Sequence, residues 1–233
     1  MSKTDPAAFF TEDHAAQYDK RFEKTAPLRD ALHLLICAVF DPLPADARIL
    51  CVGAGTGAEI LKLASMFPGW HFAAVEPSAP MLALCRRKAE AAGIAERCEF
   101  HEGYLNTLPA TEPFHAATSL LVSHFIVDRA ARVQYYRAIA ERLLPNGLLV
   151  SADLAGDLPS QGYQEDLEIW MALMRQADVP AENVENLRVV YGREVAMIPP
   201  EEVRSIIADA GFEPPAPFLQ TGLIHACRSR RAR

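Results

Sequence analysis

The stretch that decides the fold reads Arg48-Ile49-Leu50-Cys51-Val52-Gly53-Ala54-Gly55-Thr56-Gly57, and a helical pattern follows over residues 58–66. Its first five residues form a short apolar run, which predicts a buried β-strand. The glycines allow a tight turn and let a ligand approach the backbone closely. About 20 residues further on, Glu76 ends a second predicted strand, where a carboxylate can accept hydrogen bonds from both hydroxyls of a ribose. Loop and acid together predict a site for a cofactor that contains adenosine.

The rest of the chain continues the alternation of strand and helix patterns. Further strands are predicted at residues 71–75, 98–101, 114–122 and 148–152, with helices at 80–92 and 129–143. Nearly continuous apolar strands are typical of a parallel sheet that helices cover on both faces. Two successive helices at 162–177 and 181–195 then depart from the alternation. A short helix at 201–210 and two extended segments at 214–219 and 223–227 complete the predicted α/β fold.

Composition excludes several classes of protein. The 233 residues carry 23 Lys and Arg against 30 Asp and Glu, a formal net charge of −7, and half of them are hydrophobic. This is globular composition, and its acidic balance disfavours a dedicated nucleic-acid binder. The five cysteines lack C-x-x-C spacing, so we predict no disulfide framework and no metal site. Because the sequence starts without a long apolar segment, we expect a cytoplasmic protein.

The glycine loop also satisfies the dinucleotide fingerprint, as Gly53-x-Gly55-x-x-Ala58, so a nicotinamide enzyme competes with other adenosine-cofactor enzymes. Three features argue against it. The motif follows a helical leader, the sequence contains no Tyr-x-x-x-Lys, and its last two extended segments suit a terminal strand hairpin.

The ordered set of motifs resembles the class I S-adenosylmethionine-dependent methyltransferases. Residues 49–57 and 75–82 look like their first two motifs, and residues 100–103, 114–125, 143–149 and 210–212 look like later segments. The resemblance implies a Rossmann-like α/β fold of seven strands, with helices on both faces and a C-terminal strand hairpin. It divides the chain into a helical leader or cap at 1–45 and a cofactor-binding domain at 46–233, with a helical lid insertion at 160–198.

The resemblance also implies the cofactor site. S-adenosylmethionine is the expected cofactor and S-adenosylhomocysteine its product. The glycine loop is expected to line the methionine part, Glu76 to hold the ribose, and Pro77 and Met81 to flank the adenine. The implied set is Tyr18, Gly53, Ala54, Gly55, Gly57, Glu76, Pro77, Met81, Tyr104, Leu105, Leu120 and Leu121.

Three positions depart from the family pattern in the same way. Cys51, Tyr104 and His115 stand where acidic residues are usual, while Glu76 is retained. The departures leave open a weakly bound cofactor, a modified cofactor or an inactive relative.

Methyl transfer requires the acceptor to be aligned with the S–CH3 bond, and an oxygen acceptor often needs a general base. His124 and Asp153 follow the fourth and fifth predicted strands and are the candidate bases. A packing histidine and a turn or helix-capping acid are the alternatives. Trp170, Tyr191 and Arg193 of the insertion are candidate substrate contacts, against a core or solvated-face interpretation.

The sequence therefore predicts a methyltransferase that acts on a small-molecule acceptor, with nucleic acid as a weaker candidate, no membrane partner and no oligomeric state assigned. Two alternatives remain open. A transferase that uses carboxylated S-adenosylmethionine in tRNA modification is loosely similar at Phe218-Leu219-Gln220, and it would need an anion-binding Arg188 or Arg193. The other is a non-catalytic binding protein with the same fold.

Overall fold

The computed structural model describes Glu12, Lys20 and residues 23–232. Its helices are α1 (Ala26–Phe40), α2 (Ala58–Met66), α3 (Ala79–Ala91), α4 (Arg129–Arg142), α5 (Gln161–Gln176), α6 (Ala181–Val190) and α7 (Pro200–Asp209). Its strands are β1 (Arg48–Val52), β2 (His71–Glu76), β3 (Cys98–Glu102), β4 (Phe114–Leu120), β5 (Leu143–Leu154), β6 (Ala216–Thr221) and β7 (Ile224–Arg230). Short 3-10 turns lie at Ala95–Arg97, Leu105–Thr107 and Ser123–Phe125.

The seven strands form one sheet in the order β3-β2-β1-β4-β5-β7-β6. The first five strands along the chain pair in parallel, and β7 runs antiparallel to both β5 and β6. The predicted Rossmann-like fold with a C-terminal hairpin is therefore confirmed. Because β1 and β4 are neighbours although β2 and β3 separate them in sequence, the chain changes direction across the sheet there. Ligands of such sheets bind at the carboxyl ends of the strands near that reversal.

Helices cover both faces of this sheet. Successive strand residues point to opposite faces, so Ile49 and Cys51 of β1 pack with α1, α2 and α3, while Leu50 and Val52 pack on the side of α4 and α7. The insertion helices α5 and α6 join the first of these two cores. Among the described residues, no helix combines the length and apolar character needed to cross a membrane.

Several element bounds differ from the prediction. β4 ends at Leu120, because Leu121 takes a φ of +59° and turns the chain out of the strand. β5 begins five residues earlier than predicted, at Leu143, which pairs with Phe114 of β4.

The second insertion helix also ends earlier than predicted. α6 stops at Val190, because Gly192 takes a φ of +86° and Tyr191 forms an isolated bridge with Val195. The prediction that Tyr191 and Arg193 lie on this helix is therefore wrong. Both residues belong to the turn that follows it.

Candidate active site

The glycine loop leaves β1 in a backbone conformation that favours glycine. Gly53, Gly55 and Gly57 have φ angles of +74°, +53° and +81°, a region that other residues enter only with strain. The N–H groups of Gly53 and Ala54 donate to the carbonyl of Val75 over 2.8 and 3.2 Å. The loop is thereby tied to β2 before the chain enters α2.

Gly55 and Gly57 serve different purposes. A Cβ added at Gly57 would lie 2.5 Å from Sγ of Cys85, so this glycine is required by packing against α3. Among the described residues, a Cβ added at Gly55 would have only Cε of Met81 within 4 Å, at 3.8 Å. The described part of the chain therefore leaves Gly55 uncrowded, as a close backbone approach to a ligand requires.

Glu76 ends β2 and connects its side chain to this loop. Its Oε2 accepts a hydrogen bond of 2.9 Å from the N–H of Gly55, and its Oε1 accepts one of 2.9 Å from the N–H of Ser78. Burial raises the pKa of Glu76, and the two backbone N–H groups partly offset that rise. Since each carboxylate oxygen has two lone pairs, both oxygens retain acceptor capacity for ribose hydroxyls.

The other predicted cofactor contacts lie at the same edge of the sheet. Pro77 and Met81 follow β2, Tyr104 and Leu105 follow β3, and Leu120 and Leu121 end and follow β4. Tyr18 lies outside the described residues. The structure thus brings the set together at the carboxyl ends of β1 to β4, with Met81 and Leu105 buried and Tyr104 about half exposed. Their contacts with a cofactor remain predictions.

Leu121 adds a local strain to this edge. It is a non-glycine residue with a φ of +59°, and its N–H donates to the carbonyl of Ala152 over 2.7 Å. Non-glycine residues in this region cost about 1–3 kcal/mol and concentrate at functional sites. The turn therefore joins the ends of β4 and β5 where a cofactor and its acceptor would meet.

Asp153 is the centre of a buried hydrogen-bond network at the end of β5. Its Oδ1 accepts from the Ser123 hydroxyl at 2.8 Å and from the His124 N–H at 3.0 Å. Its Oδ2 accepts from the Ser151 hydroxyl at 3.0 Å, and the Tyr136 hydroxyl lies 3.1 Å from the same oxygen. The side chain is 2% exposed, so in this conformation its carboxylate has no open face for an acceptor.

Arg132 supplies the charge that balances Asp153. Its Nη2 lies 3.4 Å from Oδ1 of Asp153, and its Nε donates to the Ser123 hydroxyl over 2.9 Å. Burial alone would raise the pKa of Asp153, but the Arg132 guanidinium and the hydrogen bonds from His124 and Ser123 hold it well below its usual range. Asp153 is therefore an ionised acceptor.

His124 is also enclosed. Its Nδ1 lies 3.2 Å from the N–H of Leu154, which donates to it, and its ring contacts Phe125 with centroids 4.5 Å apart. The Nδ1 atom of His124 is therefore already occupied by a backbone hydrogen bond. The general-base role of His124 and Asp153 stays a prediction, and this geometry favours a positioning role for both residues.

The family model described as "Methyltransferase domain" matches residues 49–147. That range runs from β1 into β5 and contains the glycine loop, Glu76 and the Leu121 turn. Residues 49–147 therefore correspond to a methyltransferase domain. The match and the fold support S-adenosylmethionine as its cofactor. No curated protein matches the chain.

Solved structures resemble this methyltransferase domain at low sequence identity. A Bordetella parapertussis protein described as a possible exported protein has a TM-score of 0.68 and 18% identity, over 87% of this chain and 68% of its own. An O-methyltransferase family 2 protein of Planctomyces limnophilus in complex with apigenin has a TM-score of 0.62 and 19% identity, over 95% and 62%. Human N-acetylserotonin methyltransferase in complex with S-adenosylmethionine has a TM-score of 0.62 and 15% identity, over 96% and 57%. These likenesses show the fold alone.

Two of the residues that stand where acids are usual, His115 and Cys51, lie in different surroundings. His115 is the second residue of β4, and its Nδ1 accepts the N–H of Arg48 over 3.0 Å at the amino ends of the strands. It therefore lies at the opposite edge of the sheet from the glycine loop. Cys51 is buried in β1 beside Thr118 and Glu59, and burial raises the pKa of its thiol.

The insertion packs on the methyltransferase domain as part of its core. Trp170 and Tyr191 are both buried, and the indole Nε1 of Trp170 donates to the Tyr191 hydroxyl over 2.9 Å. Arg193 is exposed. Arg188 binds Glu168 at 2.8 Å and Glu185 at 3.3 Å, so the geometry does not favour it as the anion receptor of a carboxylated cofactor.

Sequence reasoning missed Ser123, Arg132, Tyr136 and Glu59. Arg132 and Tyr136 lie four residues apart on α4 and face the sheet, where such spacing predicts only a shared helix face. Glu59 stands in the first turn of α2, where an acid is ordinarily explained by the helix dipole. Nothing in the local pattern marks these residues as buried partners.

Proposed function

We propose that the methyltransferase domain binds S-adenosylmethionine across the carboxyl ends of β1 to β4 and methylates a small-molecule acceptor. The observation that carries this proposal is the hydrogen bond of 2.9 Å from the Gly55 N–H to Glu76. It connects the loop proposed for the methionine part to the acid proposed for the ribose, so the two halves of the site form one rigid unit.

The remaining contacts follow from position. Pro77 and Met81 flank the adenine, Tyr104 and Leu105 close the adenine end, and Leu120 and Leu121 contact the cofactor beside the acceptor. S-adenosylmethionine supplies an activated methyl group when bound, so the protein mainly orients the acceptor and excludes water. The strained turn at Leu121 and the buried Asp153 network hold the ends of β4 and β5 in place for that orientation.

A cavity near the end of β5 supports a small acceptor. It has a volume of about 460 Å³, lies between α7 and the β6–β7 hairpin, and reaches Asp153. Its lining combines the apolar Val203 and Phe218 with the polar Arg204 and His225. Pockets for small molecules have this size and this mixture of apolar walls and few polar groups. The apigenin in one structural neighbour and the name of another, N-acetylserotonin methyltransferase, fit the same class of acceptor.

Titration calorimetry with S-adenosylhomocysteine tests the cofactor half. We expect wild-type protein to bind, and Glu76→Ala to lose about 1–3 kcal/mol of binding free energy because charged hydrogen bonds are removed. Glu99→Ala removes an exposed carboxylate from β3 and serves as the control, with unchanged affinity expected. A Glu76→Ala protein that binds as tightly as wild type would contradict the assignment.

A screen of small-molecule acceptors with methyl-labelled cofactor tests the transfer half. Label is expected in an acceptor when wild-type protein is present and not when it is omitted. Mass spectrometry of ligand released from the purified protein separates the alternatives, since it distinguishes ordinary cofactor, carboxylated cofactor and none. Cofactor binding without transfer to any acceptor would count against the proposed enzyme and for a binding protein.

A further inference from the structure

A carboxylate, a thiol and a hydroxyl meet beneath the first turn of α2. Glu59 is the second residue of that helix, and its Oε1 accepts a hydrogen bond of 2.8 Å from the Thr118 hydroxyl of β4. Thr118 is the register partner of Cys51 in β1, and the thiol of Cys51 also contacts the Glu59 carboxylate. All three residues are buried.

The charged form of Glu59 is energetically unfavourable at this buried position. Burial raises its pKa to about 7, although hydrogen bonds from Thr118 and Cys51 oppose that rise. Among the residues that the structure describes, no cationic side chain forms an ion pair with it. Buried acids are almost always paired, and strongly perturbed carboxyl groups cluster at functional sites.

The position of Glu59 points to the cofactor. Glu59 follows Gly57 by two residues in the first turn of α2, and Glu76 accepts the N–H of Gly55 at the other part of the same loop. The two carboxylates therefore flank the glycine loop. S-adenosylmethionine and S-adenosylhomocysteine both carry a positive ammonium group, which a buried negative charge attracts more strongly than one in water.

We propose that Glu59 is a positioning residue of the cofactor site and supplies, from α2, the buried carboxylate that the end of β1 lacks at Cys51. It anchors the glycine loop to β4 through Thr118 and gives the loop a negative potential. The absence of an acid at residue 51 is then a relocation of the charge by eight residues along the chain. This proposal rests on the proposed function.

Moving the carboxylate from residue 59 to residue 51 tests this proposal. We expect Glu59→Ala to weaken S-adenosylhomocysteine binding about tenfold, because a buried charge and its hydrogen bonds are lost. Cys51→Asp alone places a second carboxylate against Glu59, and we expect weakened binding together with a lower melting temperature. The double variant Cys51→Asp/Glu59→Ala leaves one carboxylate beside Thr118, and we expect its affinity to return to within about threefold of wild type.

Controls separate this proposal from the proposed function. Glu141→Gln, an exposed glutamate of α4, is expected to bind as wild type. If wild type binds and Glu76→Ala weakens binding while Glu59→Ala does not, only the role of Glu59 is overturned. If wild type does not bind, both proposals fail. Should both single variants unfold, a folded double variant that binds supports the relocation, and an unfolded or non-binding double variant overturns it.

The pH profile supplies a readout that a purely structural role would not move. Cys51, Cys85 and Tyr135 are titratable groups that interact with Glu59, but burial raises the pKa of all three well above the neutral range. Wild-type affinity for S-adenosylhomocysteine is expected to rise between pH 6 and 8 as Glu59 ionises. Glu59→Gln keeps the shape of the side chain and leaves the titration of Glu76 in place. We therefore expect this variant to lose the part of the rise in affinity that comes from Glu59. Identical pH profiles would overturn the proposal.

Discussion

The two halves of the candidate site are built by different means. The cofactor half uses backbone groups, because the Gly53–Gly57 loop and the Glu76 carboxylate are joined by N–H donors within a short stretch of chain. The half near the end of β5 uses side chains, because Asp153 is enclosed by donors from the turn after β4 and from α4. The first half has acceptor capacity left for a ligand. In the second half Asp153 is already surrounded by donors, and Nη1 and Nη2 of Arg132 are buried without a hydrogen-bond partner among the described residues.

This difference separates ligand binding from stability. Changes in the loop are expected to alter affinity more than folding, unless they affect packing. Changes in the Asp153 network remove one partner from a buried charge pair and are expected to alter folding first. A loss of activity in an Asp153 variant would therefore be no proof of a catalytic base until its stability has been measured.

The largest expected effect is on the Asp153 network. Asp153→Ala leaves Arg132 buried without its counter-charge, and we expect the free energy of unfolding to fall by about 3–5 kcal/mol. Urea unfolding monitored by circular dichroism measures it. Asp157→Ala, at an exposed acid three residues beyond β5, is the control and is expected to change stability little. A small loss in Asp153→Ala would show that the network does not hold this end of the sheet.

The same network predicts a pH dependence of stability. Because the pKa of Asp153 is held below its unfolded value, its contribution is fully present above about pH 4 and is lost as the pH falls toward the folded pKa. The stability difference between wild type and Asp153→Ala is therefore expected to be larger at pH 7 than at pH 3. Urea titrations at the two pH values check it, and an equal difference would contradict the pairing with Arg132.

The comparison also explains what could be predicted from sequence. The strand, the glycine loop and Glu76 were predictable because local backbone rules govern them. Arg132 reaches Asp153 across 21 residues, and no periodicity along one helix encodes such a partner. The location of His124 just after β4 was likewise predictable. Its burial was not, because it depends on a contact with Leu154, which is distant in sequence.

A smaller effect distinguishes the two glycines of the loop. In Gly57→Ala the new methyl group meets Cys85 and the backbone is strained, so we expect a loss of about 2–4 kcal/mol in the free energy of unfolding. Gly55→Ala carries backbone strain of about 1 kcal/mol without that clash, and its main effect is expected to be weaker S-adenosylhomocysteine binding.

Thermal unfolding and calorimetry on both glycine variants measure this contrast. Gly162→Ala, in the first turn of α5 with open space around it, is the matched control, and we expect a gain of up to about 1 kcal/mol in stability. Equal losses of affinity at Gly55 and Gly57 without a difference in stability would show that the two positions do not divide binding from packing.

The smallest expected effect concerns the insertion beside the site. Trp170→Phe and Tyr191→Phe each remove one partner of the same buried hydrogen bond, and we expect each to cost about 1–2 kcal/mol of unfolding free energy. The double variant is expected to cost less than the sum, since one bond cannot be lost twice. Urea unfolding of the four proteins completes the cycle. Additive losses would mean that the two side chains stabilise the insertion independently of this hydrogen bond.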